Sequence, residues 1–233
     1  MLPGANLFIC LNIDCCRVIR NKSMDRDIGL WCELAPAGRT LLPALFLDRD
    51  GVINADTGYV GRAEDLRMLE GVAAAIARCN ALKVPVVVVT NQSGIARSLY
   101  DWDGFHAVQA GVVAHLAAAG AHLDAVLACA YHCDGSGPLR VDNHPWRKPN
   151  PGMILAAASG MNLDLARSWI VGDRAHDLAA GAAAGLCGGT LIAADEREQQ
   201  AALALANSRF VVEIAASSAA AIAAVADRGR CAP

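Results

Sequence analysis

The sequence predicts an α/β fold, a doubly wound parallel sheet with helices on both faces, on three observations. Apolar β-prone runs alternate with helical runs from Leu41 onward. The run 84–90 is continuously apolar, as a strand covered on both faces must be. Three of the predicted strands stop at polar residues, which places a site at their carboxyl ends, where open parallel sheets bind ligands.

Taken in order, residues 1–40 mix polar and apolar side chains without a period and carry Cys10, Cys15, Cys16 and Cys32. Poor order is expected there, and the organised domain is placed at 41–228. On this reading the extension is dispensable or translation starts at Met24, a choice that N-terminal mass spectrometry decides. A short strand over 44–47 ends at Asp48, a helix covers 71–82, and the buried strand 84–90 follows. The pattern then gives a helix over 101–120, a strand over 125–131, a polar loop over 134–143 and a helix over 151–160. A further core strand, 168–171, stops at Gly172-Asp173; after it come a helix over 177–185, an extended run over 189–192 and one more alternation. Strands separated by helices of about ten to fifteen residues imply right-handed crossovers.

Composition narrows the function classes. At 233 residues one domain is expected. A net charge of -3 offers no basic field for nucleic acid or an anionic membrane, so a phosphorylated ligand must be held by local geometry. There is no apolar run long enough to span a bilayer, and the stretch 7–13 lacks the flanks of an export signal. Nine scattered cysteines fit a reducing compartment better than a disulfide framework, so a cytoplasmic monomer acting on a small molecule is expected.

The strand ends carry Asp48-Arg49-Asp50-Gly51, Thr90-Asn91-Gln92-Ser93-Gly94 and Gly172-Asp173-Arg174. Carboxylates crowded at one edge repel one another unless a cation neutralises them, so Asp48, Asp50 and Asp173 together point to a hard metal, magnesium. Asp48 then keeps an oxygen free to attack phosphorus, and Asp50 can protonate the leaving alkoxide and later activate water. Thr90 and Lys148 are placed on the transferred phosphoryl group. The second Asp-Arg-Asp stretch, Asp25-Arg26-Asp27, follows no strand and reads as a solvated turn. A calcium-loop reading from Asp48 fails, because Tyr59 stands where a bidentate Glu belongs.

These segments, with Asp56-Thr57-Gly58-Tyr59-Val60 and Arg147-Lys148-Pro149-Asn150-Pro151-Gly152, resemble the haloacid dehalogenase (HAD) superfamily over about 42–225, and within it the D,D-heptose 1,7-bisphosphate and histidinol-phosphate phosphatases. The resemblance implies a HAD fold with a minimal cap made of loops. It implies Asp48 as nucleophile, Asp50 as proton donor and backbone-carbonyl ligand, Asp173 as side-chain ligand of Mg2+, and Thr90 and Lys148 as phosphoryl stabilisers. Asp56, Thr57, Gly58, Tyr59, Asn91, Gln92, Ser93, Arg147 and Arg174 are then expected at the substrate, Arg174 standing where relatives commonly carry Lys.

The cysteine loop departs from that pattern. Relatives hold a structural zinc through Cys-x-His and Cys-x-Cys; here Cys129 remains, Tyr131 takes the His place, and His144 and Trp146 replace the later cysteines. Regrouping Cys129, His132, Cys133 and His144 around Zn2+ is one reading, and packing without metal leads it, since Trp146 cannot ligate. His106, His115, His122 and His176 read as surface or packing residues. The expected activity is removal of the C7 phosphate from a heptose 1,7-bisphosphate through an aspartyl phosphate. Histidinol-phosphate hydrolysis is the alternative, and a catalytically silent binding protein on the same scaffold is the third.

Overall fold

The computed structural model describes residues 19–20, 27–192 and 195–227. Its strands are β1 (Ile19–Arg20), β2 (Leu30–Leu34), β3 (Leu45–Leu47), β4 (Val86–Asn91), β5 (Ala125–Cys129), β6 (Trp169–Gly172), β7 (Gly188–Ile192) and β8 (Val211–Ala215). They form one sheet in the order β1-β2-β5-β4-β3-β6-β7-β8. From β5 across to β8 neighbouring strands are parallel, and β1 and β2 add an antiparallel edge. The sheet is therefore the doubly wound one expected, with the order reversing at β3.

Both faces of the sheet are covered, and β3 shows how. Leu45 and Leu47 point into one core, with Val86, Val88 and Val171, beneath helices α1 (Val72–Ala81), α3 (Trp102–Ala118) and α7 (Ser218–Asp227). Phe46 points the opposite way with Val87, Val89 and Ile170, beneath α4 (Gly152–Met161), α5 (Ala175–Ala184) and α6 (Glu196–Leu203). Alternation of side chains along a strand makes every residue of β3 and nearly every one of β4 buried, which is why they read as unbroken apolar runs. Each such aliphatic side chain contributes roughly 1.5–3 kcal/mol when withdrawn from water.

Local signals set the helix ends. The Asp101 carboxylate accepts from the Gly104 N–H at 2.9 Å and starts α3; Gly185 stops α5 with φ +85°, a conformation glycine adopts without steric cost. The one-turn helix α2 (Ser93–Ala96) follows β4 directly. Between β3 and α1 the chain forms loops and a three-residue 3-10 turn, Ala63–Asp65, so the cap over the sheet edge is small, as expected.

One expectation is corrected. Poor order was expected throughout 1–40, yet Leu30–Leu34 is a strand paired with β5, its register running from Leu30 opposite Cys129 to Leu34 opposite Ala125. Cys32 and Leu34 are buried on one face and Trp31 packs on the other, a period-two pattern that gives the segment a reason to dock. Residues 1–18 and 21–26, Met24 among them, lie outside the described residues.

Candidate active site

The site lies at the carboxyl ends of β3, β4 and β6. Asp48 follows β3, and its N–H donates to the Val171 carbonyl at 3.1 Å, which ties the end of β3 to β6. The turn after it closes tightly: the Gly51 N–H donates to the Asn54 carbonyl at 2.7 Å and the Ile53 N–H to the Arg49 carbonyl at 2.8 Å. Gly51 has φ +81°, and a Cβ there would strike the Asp173 carboxylate, so this glycine is what lets the two acidic segments meet.

Asp48, Asp173 and Asp177 each offer a carboxylate oxygen within 4.8 Å of the others. Among them runs the buried Lys148 ammonium, 3.0 Å from Asp48 Oδ1 and 2.7 Å from Asp177 Oδ1. Burial pushes the Asp48 carboxyl up to about 7, against the pull of Lys148 and with the help of Asp177, Asp173 and Asp50. Burial and the neighbouring Asp177 push Asp173 up to about 6. Burial works to raise Asp177 too, but the Lys148 charge, His176 and the hydrogen bonds from Lys148 and the Arg174 N–H together outweigh it and hold this carboxyl below the usual range. Burial disfavours the Lys148 charge, and the two carboxylates reverse that and raise it. One buried cation among three carboxylates leaves an anionic excess, and oxygen donors in that arrangement suit a hard divalent ion.

Asp48 and Asp173 do meet, but the third carboxylate is Asp177, which the sequence reading did not single out. Asp50 turns away: Arg49, itself fully buried, reaches both of its oxygens at 2.9–3.2 Å, Asn54 Nδ2 donates to Oδ1 at 2.8 Å, and Gln92 Nε2 donates to Oδ2 at 3.0 Å. The Arg49 guanidinium also stands over the Phe105 ring, 5.2 Å from its centroid. A side chain that turns away leaves the Asp50 backbone carbonyl as the group able to face a cation.

The cleft in front of these groups is lined by Asp48, Asp50, Asp56, Gly58, Tyr59, Val60, Asn91, Ser93, Tyr100, Arg147, Asp173, Arg174 and His176. Of the expected substrate residues, Asp56, Gly58, Tyr59, Asn91, Ser93, Arg147 and Arg174 are thus at the wall. Thr57 is exposed and outside it. Gln92 is buried behind it, donating to Asp50 and to Thr90 Oγ1 at 2.8 Å, so an expected substrate contact is an internal one instead. Thr90 and Lys148 are also buried at the back of the site. Asn91 does more than line the cleft: its amide donates to the Lys148 carbonyl and accepts from the Lys148 N–H, both at 3.1 Å, clamping the Arg147-Lys148 backbone onto β4. His176, read as a surface or packing residue, lines the cleft with Nε2 3.3 Å from Asp177.

The cysteine loop is arranged differently. Cys129 Sγ lies 3.9 Å from His144 Nδ1, while Cys133 Sγ lies 3.6 Å from His132 Nδ1 and beside Asp134. Among the described residues, no third expected ligand joins Cys129 and His144 within 4.8 Å, and His132 and Cys133 gather instead with Asp134. As placed, the four do not form a tetrahedral zinc set. Burial pushes the Cys129 thiol up to about 12. Tyr131 fills the centre of the loop: its ring stacks on His144 at 4.2 Å between centroids, and its hydroxyl donates to Asp27 at 2.7 Å.

Comparison with known proteins adds an independent line. A HAD-hydrolase-like family model matches residues 145–214. A D-glycero-beta-D-manno-heptose-1,7-bisphosphate 7-phosphatase of Mesorhizobium japonicum is 50% identical over 167 residues, 70% of this chain and 76% of the relative. The alpha-anomer 7-phosphatase of Burkholderia mallei is 43% identical over 69% of this chain and 85% of its own length. Among solved structures, a HAD-like phosphatase from Mesorhizobium loti superposes with a TM-score of 0.75 at 40% identity, covering 86% of this chain and 96% of its own. The D,D-heptose 1,7-bisphosphate phosphatase of B. bronchiseptica, complexed with magnesium and phosphate, superposes with a TM-score of 0.65 at 32% identity over 80% of this chain and 97% of that one.

Proposed function

Since the chain belongs to the HAD-like phosphatases, in the family of the D-glycero-D-manno-heptose-1,7-bisphosphate 7-phosphatases, we propose that it removes the C7 phosphate from a heptose 1,7-bisphosphate. The observation that carries this reading is the placement of Asp48: a buried carboxylate opening on the cleft beside Lys148 and Asp173, at the edge where β3 meets β6.

On this reading Asp48 attacks phosphorus, the bond to the C7 oxygen breaks, and an aspartyl phosphate forms. Asp50, at the cleft wall, gives its proton to the departing alkoxide and then takes one from the water that hydrolyses the aspartyl phosphate. Lys148 and Thr90 hold the phosphoryl group from behind. Asp48 and Asp173, with the Asp50 backbone carbonyl, would hold Mg2+, and Asp177 fixes Lys148 beside them. When bound, the ion offsets the repulsion between carboxylate and phosphate. Arg147 and Arg174 give the cleft a basic flank suited to the rest of an anionic sugar. We place the protein in the cytoplasm as a monomer; among the described residues no helix is long and apolar enough to cross a membrane.

The test is a panel of phosphate esters with Mg2+, comparing heptose 1,7-bisphosphate of both anomers with histidinol phosphate. Preferential release of one phosphate from the heptose supports the reading. Preference for histidinol phosphate, or no release from any ester, overturns it in favour of the alternative substrate or of a silent scaffold.

A further inference from the structure

Gln92 is almost fully buried, yet each of its amide positions is occupied. Its Oε1 accepts from the Tyr100 hydroxyl at 2.6 Å and from Arg49 Nη2 at 3.4 Å; its Nε2 donates to Asp50 Oδ2 at 3.0 Å and to Thr90 Oγ1 at 2.8 Å. The orientation of the amide is dictated by its neighbours. Arg49 can only donate, so the oxygen must face the guanidinium, which turns the NH2 towards the Asp50 carboxyl. Tyr100 completes the set by donating to that same oxygen, which polarises the amide and strengthens the hydrogen bond on its far side.

Tyr100 reaches this point from the cleft wall, and the sequence makes room for its ring. A Cβ at either Gly61 or Gly94 would collide with the ring. The tyrosine is thus wedged between the small cap loop and the start of α2, with its hydroxyl buried against Gln92. The chain of contacts Tyr100, Gln92, Asp50 links cap, second strand end and proton donor.

We propose that Gln92 and Tyr100 are positioning residues for proton transfer: Gln92 holds the Asp50 carboxyl in the rotamer that faces the leaving oxygen, and Tyr100 locks the Gln92 amide in the orientation that does so. This rests on the proposed role of Asp50. Arg49 and Asn54 grip the same carboxyl from the turn behind it. Among the described residues Gln92, between β4 and α2, is the one side-chain contact to this carboxyl from outside the turn, and it ties Asp50 to the phosphoryl-binding Thr90.

Proton donation matters in proportion to how poorly the leaving group departs, and this gives a test that a general loss of packing would not mimic. Heptose 1,7-bisphosphate expels an alkoxide that needs the proton; p-nitrophenyl phosphate expels a phenolate that leaves without it. For Gln92→Met we expect kcat/KM to fall about 10²-fold on the heptose bisphosphate and about tenfold less on p-nitrophenyl phosphate, with KM for both changed little. Tyr100→Phe, which removes one oxygen and keeps the ring, should show the same discrimination with a loss of about tenfold on the sugar. Equal losses on both esters, or none on the sugar, for Tyr100→Phe and Gln92→Met overturn the inference. Asp50→Asn separates it from the reading beneath. If Asp50→Asn discriminates between the esters and the other two variants do not, the positioning role alone falls. If Asp50→Asn does not discriminate either, the proton role of Asp50 falls and takes this inference with it.

Discussion

Two loops at the same sheet edge hold themselves in place by different means. The turn after β3 and the segment around Lys148 are cross-wired by buried charge: Lys148 between Asp48 and Asp177, and Arg49 around Asp50. The loop after β5 is held by an aromatic stack, Tyr131 on His144, and by partly exposed contacts such as Arg97 with Asp134 at 3.0 Å. A charge withdrawn from water needs a specific partner, so each residue of the first region is fixed by the others. A loop that only has to keep its shape can be filled by several sets of side chains.

The contrast can be broken or sharpened by experiment. Asp48→Asn should lower turnover by at least about 10³-fold in a steady-state phosphate-release assay while the protein stays folded by circular dichroism, because the change removes one of several like charges. Lys148→Met leaves two carboxylates buried without their cation and should cost about 3–5 kcal/mol in urea denaturation, a loss that would be absent if the site were held by shape alone. Treatment with a chelator should abolish phosphate release and added Mg2+ should restore it. Zinc measured by mass spectrometry in the untreated protein, at one per chain, would break the comparison by giving the β5 loop a metal after all.

Smaller effects belong to the second region. Tyr131→Phe should cost only about 0.5–1.5 kcal/mol and leave kcat unchanged. Its effect also has a sign with pH. Burial and the hydrogen bond to Asp27 push the Tyr131 hydroxyl up to about 12 from 10.0, so the protonated form is favoured by folding. That contribution is complete below pH 10.0 and is lost as the pH climbs towards about 12. Melting curves of the parent and of Tyr131→Phe should therefore converge over that interval and differ by a constant amount below it.

What could be read from the sequence follows the same division. β3, β4 and β6 announced themselves because a strand covered on both faces has no polar positions, and the acidic residues at their ends stood out against that background. Asp177 did not, because an acidic residue in the first turn of a helix is ordinary; the available signal was its place in the first turn of the helix that opens just after Asp173. The family resemblance put Gln92 at the substrate with its neighbours, but Asn91 and Ser93 face the cleft and Gln92 points inward. β2 was hidden by the irregular residues around it, although Leu30, Cys32 and Leu34 share one face. The cysteine loop was the least readable part, since a stacked tyrosine and histidine leave no spacing rule behind.

Strand β2 has a practical consequence for anyone shortening the gene. It occupies the hydrogen-bonding groups along one side of β5, from Ala125 to Cys129. A version trimmed to begin at Leu41 would bare that row of amides and carbonyls beside an apolar floor, an adhesive rim that other molecules could extend. Such a product should precipitate or self-associate on size-exclusion chromatography even with all of its catalytic groups intact.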